Sequence, residues 1–405
     1  MLNLNKEKRY LLACSFGPDS MALFDMLFKE GFNFEVAHVN YHLRDESNYE
    51  EQSLREYCKK HNIKIYVHDN SKVFKNNIEA NCREIRYQFF SDIYHQYDFD
   101  ALLVAHNEDD LIETYLLQKK RKNLVFQYGL AEKNTIKNMI VLRPLLEYKK
   151  KDLESYCNNN SVPYAIDKTN LQPIYERNKL RLNVVSKMNY QNREKILCEI
   201  DSKNRSIKTM LKKLESVSNN IDELKKLSNI EFAYYLNIKL QKQNIVNPIT
   251  YKQSIEVGKI LNSNKANIVL LIAKKQAAIY KTYDQLFIQK IDEEFAPIVI
   301  DEPCVIDNPF LYADLISDGE KRNIKSEDYP LTIRTYQKGD KTMIKDYEVL
   351  VRRLFIDWKM PIHIRKRWPL FVNKDNKIVY IPRYRKDFKI ENSPNFYVKE
   401  CFTLK

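Results

Sequence analysis

Glycine is scarce: the chain has 6 in 405 residues, against a usual share of roughly 7%. Each glycine position is therefore informative. No pair of the seven cysteines is spaced Cys-x-x-Cys, and their number is odd. That excludes a readable disulfide framework or zinc site. No apolar run reaches the roughly 18 residues that cross a bilayer. The N-terminus passes from Lys8-Arg9 into only a few apolar residues, too few for a secretory signal. A reduced, cytoplasmic setting without a membrane partner is the expectation. No internal repeat is visible.

What is abundant is positive charge. The chain carries a net +13. Residues 331–405 hold 18 Lys or Arg against 8 Asp or Glu, a net +10. A polyanionic partner accounts for this, and so does a basic, solvated surface. Aromatics are interleaved with Lys and Arg in this tail, which suits phosphate contacts plus base stacking.

Up to about residue 185, short apolar runs alternate with helical patterns. "YLLACS", "FEVAHVNY", "IKIYVHD", "DALLVAH" and "MIVLRPL" read as strands. This order predicts an α/β fold, a parallel sheet with helices on both faces and right-handed crossovers. Residues 190–262 read as amphipathic helices and 267–290 as three short strands in a meander. The division expected is 1–188, 189–295 and a basic, β-rich 296–405.

The first strand runs into "SFGPDS", residues 15–20. Free N–H groups and a positive dipole at a helix start attract anions. Gly17 permits close backbone approach, and Pro18 suits the first helical position. Ser15 and Ser20 add hydroxyls. Asp19 would repel a phosphate unless a divalent cation bridges the two. An ordinary helix cap fits the same residues equally well.

The turn resembles the Ser-Gly-Gly-x-Asp-Ser loop of the N-type ATP pyrophosphatases, the PP-loop family, with Phe16 at the first glycine. It lacks the Gly-Lys-Ser/Thr ending of a Walker loop. "AHNEDDLIET", residues 105–114, is similar to the His-His-x-Asp-Asp-x-x-Glu-Thr signature of one branch, the tRNA(Ile)-lysidine synthases, with Asn107 at the second histidine. "HVNYHLRDE" looks like that branch's His-x-Asn-His-Gly-Leu-Arg segment, through His38, Asn40 and Arg44. "CREIRYQFF" matches its Arg-x-x-Arg-Tyr helix, through Arg83, Arg86 and Tyr87. Arg143-Pro144, Asp167, Asn170, Arg177, Asn178 and Arg181 resemble two further blocks. Arg334 and Arg365 look like positions of its C-terminal domain.

The resemblance implies a PP-loop fold of the adenine nucleotide α-hydrolase type and a two-step reaction. ATP adenylates C2 of the wobble cytidine in a tRNA(Ile) with a CAU anticodon. Free L-lysine then displaces AMP. By the same resemblance, Ser15–Ser20 bind ATP, and Asp19, Arg86 and Asp110 are catalytic. Asp110 and Glu113 take the lysine ammonium, and Asp19 and Asp109 hold Mg2+. Arg177, Arg181, Arg334 and Arg365 contact tRNA. His38, Asn40, Arg44, Arg83 and His106 are further motif positions, and a homodimer is an open expectation. Bottom-up, Asp109, Asp110 and Glu113 at a helix start would also simply favour the dipole. Another PP-loop tRNA enzyme, or an RNA-binding relative that has lost catalysis, are the alternatives.

Overall fold

Alternate side chains of a strand leave opposite faces of the sheet. A run apolar throughout therefore needs cover on both sides. Strand β1, Arg9–Ala13, is such a run from Tyr10 onward. In the computed structural model Tyr10 and Leu12 enter one core and Leu11 the other. The structure describes residues 2–42, 46–70, 78–166, 176–245, 248–272, 274, 276–291, 296–308, 311–384 and 396–399. Arg44, Asp167 and Asn170 lie outside them.

By packing, the chain divides into Met1–Thr209 and Met210–Lys405. The first unit continues from β1 through α1 (Pro18–Lys29), β2 (Asn33–Asn40), α2 (Glu46–Lys60), β3 (Ile65–Asp69), α3 (Ile78–Gln96), β4 (Ala101–Val104) and α4 (Glu108–Arg121). Then come β5 (Lys133–Ile136), β6 (Met139–Leu142), α5 (Lys150–Asn159), α6 (Glu176–Asn183) and the start of α7 (Tyr190–Glu215). The strand order is β3-β2-β1-β4-β6-β5. All pairs are parallel except β5 with β6. Helices α1, α2 and α5 cover one face through Phe24, Leu27, Leu54, Cys58 and Leu153. Helix α3 covers the other through Tyr87, Phe90 and Tyr94.

Five strands match the sequence expectation. The sixth, β5, is Lys-Asn-Thr-Ile, with no apolar alternation to reveal it. It sits at the sheet edge, paired only to β6. The chain leaves β1 toward β2 on one side and reaches β4 on the other. The order thus reverses between β1 and β4, and ligands bind beyond the carboxyl ends of such strands.

The second unit holds the expected helices, Asn229–Gln241 and Tyr251–Leu261, each opened by a capping box. Strands Asn267–Ile272, Ala277–Thr282 and Gln285–Lys290 form the expected antiparallel meander. Short antiparallel sheets follow, around a core that includes Leu331, Ile333, Phe355, Trp368 and Phe371. Among the described residues no helix is long and apolar enough to cross a membrane.

Candidate active site

The turn after β1 is pinned from the neighbouring strand. Cys14 N donates to Ala37 O at 3.0 Å, and His38 Nδ1 donates to Cys14 O at 2.9 Å. His38 is buried, and burial lowers its pKa. It is a neutral anchor of the turn. Asn40 does similar work at the end of β2. Its amide bonds Asn48 and Glu51, and its Oδ1 accepts from His42 N.

Phe16 has φ +64°, the left-handed region that favours glycine. Its ring is 4% exposed and belongs to the core that includes Met21 and Leu23. Packing thus holds a strained residue there, and the ring does not line the turn. Gly17 is the reverse case. Its φ is −81°, open to any residue, and a Cβ would meet only Ser15 Oγ, at 3.5 Å. Nothing in the fold requires that glycine, and without a Cβ its backbone stays open to close approach. Ser20 Oγ is spent on the turn itself, donating to Gly17 O at 3.0 Å and accepting from Ser15 N at 3.3 Å.

Asp19 stands in the first turn of α1. Its Oδ1 is the one buried carboxylate oxygen without a hydrogen-bond partner among the described residues. Burial pushes its carboxyl up to about 6, with Asp110 adding to the rise. Lys150, at the start of α5, opposes this most strongly, followed by the amide of Asn107. An orphaned carboxylate beside an open glycine fits a cation shared with phosphate oxygens, the usual way Mg2+ is held.

At the start of α4 the acids are all compensated. Asn107 caps the helix: its Oδ1 accepts from Asp110 N at 3.2 Å, and its own N donates to Asp110 Oδ2 at 3.1 Å. Arg177 and Arg181 of α6 grip the next turn. Arg177 reaches Asp110 at 2.9 Å and Glu113 at 2.9 Å; Arg181 reaches Asp110 at 3.1 Å and Glu113 at 2.6 Å. Burial opposes the charge of Asp110. His106 and the two arginines outweigh it and hold the carboxyl below the usual range. His106 itself is pushed down to about 4, chiefly by burial, so at neutral pH the arginines supply that charge.

The open acidic pair expected for lysine is therefore a four-charge cluster, and the two arginines expected to face tRNA are its other half. Asp109 also departs from expectation. It and Glu108 share Arg193 of α7, at 2.7 and 2.8 Å, so its carboxylate is committed before any Mg2+ arrives. Among the described residues no group of three or more His, Cys, Asp or Glu side chains could hold a metal ion.

A PP-loop domain model matches residues 1–188. The chain is 33% identical over 398 residues to the tRNA(Ile)-lysidine synthase of Mycoplasma mycoides subsp. mycoides SC, covering 94% of this chain and 98% of that one. It belongs to the tRNA(Ile)-lysidine synthase family. The synthase of Lactococcus lactis subsp. lactis is 30% identical, with 91% of this chain and 86% of that one covered. Among solved structures, a U34-tRNA thiolase from Methanococcus maripaludis matches 54% of this chain and 75% of its own, at 14% identity and a TM-score of 0.41.

Other lysidine synthase motif positions sort by burial. Arg83 and Arg86 on α3 are exposed. Arg83 lies over the Tyr87 ring, and Arg86 Nε donates to Tyr41 Oη at 3.2 Å. Arg143 is buried and donates to His106 Nδ1 at 3.0 Å. His106 Nε2 therefore carries the proton, a donor rather than a base. Arg334, expected to contact tRNA, is already paired within the fold. It is 9% exposed and forms a two-point pair with Asp340 at 2.8 and 2.9 Å. Arg365 is half-buried and donates to Met360 O at 2.8 Å. Sequence reasoning missed Lys150 and Arg193. Each sits in a run of polar helix residues, and only the fold shows that Arg193 pairs Glu108 and Asp109 and that the charge of Lys150 acts on Asp19.

Proposed function

We infer that this protein is an ATP-dependent carbon–nitrogen ligase, a tRNA(Ile)-lysidine synthase. What carries the reading is kinship along nearly the whole chain, joined to an uncompensated Asp19 beside Gly17 at the reversal of the sheet. The substrates are tRNA(Ile) with a CAU anticodon, free lysine and ATP. The O2 oxygen of the wobble cytidine attacks the α-phosphorus and pyrophosphate leaves. The lysine ε-amine then bonds to C2 and AMP departs. The base must be splayed from the anticodon loop to reach the site.

In this reading the free N–H groups of α1 and the Ser15 hydroxyl face the phosphates. Lys150 adds positive charge from α5, and exposed Arg83 and Arg86 are free to clamp phosphate oxygens. Asp19 would hold Mg2+, which when bound offsets the phosphate charge. Phe16, packed in the core, leaves the turn open, which supports an active enzyme over a silent relative. A lysine ammonium can use Asp110 and Glu113 only by displacing a guanidinium. An arginine so released becomes available to anionic phosphate. The test is nucleoside mass analysis of tRNA(Ile) incubated with protein, ATP and lysine. Lysidine should appear only when all three are present. ATP turnover without lysidine would replace this reading with another PP-loop activity.

A further inference from the structure

We propose that Tyr41 is a positioning residue for Arg86, holding its guanidinium by one nitrogen so that the other two can take phosphate oxygens. Tyr41 follows β2 at the carboxyl end of that strand, and its backbone is fixed from both sides. Asn40 before it is 2% exposed, and its Oδ1 accepts from His42 N at 2.9 Å. That is the short turn an Asn side chain closes over two residues. His42 beyond it has φ +50°, and its ring donates to Asp69 at 2.6 Å. From this turn the half-buried Tyr41 side chain reaches α3. Its Oη donates to Cys82 O at 2.6 Å and accepts from Arg86 Nε at 3.2 Å. Cys82 and Arg86 are one helical turn apart. The Arg86 guanidinium also lies 5.7 Å from the centre of the Tyr41 ring, within cation–π range.

Two partners converge on one oxygen, and a phenol suits both. It has one proton to give and lone pairs to receive. That proton is committed to Cys82 O, so toward Arg86 the oxygen can only accept. Burial raises the Tyr41 pKa, with Arg86 opposing, and the phenol keeps its proton at neutral pH. The family segment has a histidine at this place, and an imidazole carries donor and acceptor on separate atoms. A guanidinium is a rigid fork, so tying Nε fixes the direction of its terminal N–H groups. The side chain is exposed and makes no ion pair among the described residues. An arginine held in advance gives up less rotamer freedom when a phosphate arrives. Helix α3 joins parallel strands β3 and β4, so its early turns lie toward their carboxyl ends, where ligands bind.

This role rests on the lysidine synthase reading, in which Arg86 itself handles phosphate. Arg86→Ala and the double variant are therefore measured beside Tyr41→Phe, as full-length protein with tRNA(Ile), lysine and Mg·ATP. Arg86→Ala should lower kcat for AMP formation about a hundredfold, the usual loss for one charge-stabilising donor. Tyr41→Phe should lower it about tenfold, with KM for lysine unchanged. Its melting temperature should stay within about 4 °C of wild type, the worth of one hydrogen bond. In the Arg86→Ala background the same change should cost less than about twofold, because the residue it positions is gone. Full activity in Tyr41→Phe beside a defective Arg86→Ala overturns the positioning and leaves Arg86 in the site. Losses that multiply in the double variant overturn it too, since Tyr41 would then act without Arg86. Normal AMP formation in Arg86→Ala removes Arg86 from the phosphates and Tyr41 with it, while lysidine still forming leaves the wider reading intact.

Discussion

Two helices begin at the same crevice and treat their acids oppositely. At α4, Glu108, Asp109, Asp110 and Glu113 are matched by Arg193, Arg177 and Arg181. At α1, Asp19 has a buried oxygen with no partner. A fold spends arginines where carboxylates must be buried, because a buried charge without a partner is costly. An acid left uncompensated is the one still open to a charge from outside. A cluster of carboxylates in a motif is thus weaker evidence of a metal or ligand site than a single carboxylate the fold has not answered.

The strongest way to break that comparison is chemical. Asp19→Asn should cut AMP formation with tRNA and lysine by about a hundredfold or more, several kcal/mol of lost charge stabilisation at the phosphates. Circular dichroism should stay unchanged. Near-normal turnover would mean that the orphaned oxygen is only a packing defect.

Next in size is Glu113, which is fully buried between two guanidiniums. Glu113→Gln leaves Arg177 and Arg181 short of a counter-charge. Breaking a buried pair this way costs about 3 kcal/mol, or about 6–12 °C in the melting of the first unit. If instead Glu113 is mainly an ammonium site, the melting temperature holds and KM for lysine rises steeply. The two readings give different measurements.

Phe16→Gly sharpens the contrast within the first turn. Glycine relieves the left-handed backbone, worth about 1 kcal/mol, but empties a core site whose loss costs about 3–5 kcal/mol. Chemical denaturation should show a net loss of about 2–4 kcal/mol, with ATP binding retained if the ring stays clear of the phosphates. Weaker ATP binding would place the ring in the site after all.

Much of this was legible beforehand, for physical reasons. Five strands announced themselves because parallel strands covered on both faces need mostly apolar runs. The strand-to-helix junction at Ser15–Ser20 was legible because Pro18 suits the first helical position. Strand β5 was hidden, since an edge strand needs no core face. The state of the carboxylates was hidden too. Arg177 and Arg181 lie over 60 residues from Asp110 and Glu113 in sequence, and charge pairing over that distance leaves no periodic trace. The pairing of Arg334 was hidden for a related reason: basic composition does not reveal that one arginine is buried against Asp340.

The smallest effect reads the uncompensated charge directly. Burial raises the Asp19 carboxyl from 3.8 in a model peptide to about 6. Between those values the folded protein holds a proton there that the unfolded chain has lost. Stability conferred through Asp19 therefore falls as pH rises from about 4 to about 6, opposite to a salt-bridged carboxylate. Partial solvent access reduces the full shift to about 2 kcal/mol. Asp19→Asn, which cannot ionise, should match wild type near pH 4 and exceed it by about that amount at pH 7, without nucleotide or divalent ions. Adding Mg·ATP should reverse the order, because only wild type has a charge for the cation to meet. Equal stability of the two proteins across the pH range would show that the fold already answers Asp19. The site would then have to be sought at Arg83 and Arg86, whose guanidiniums are exposed.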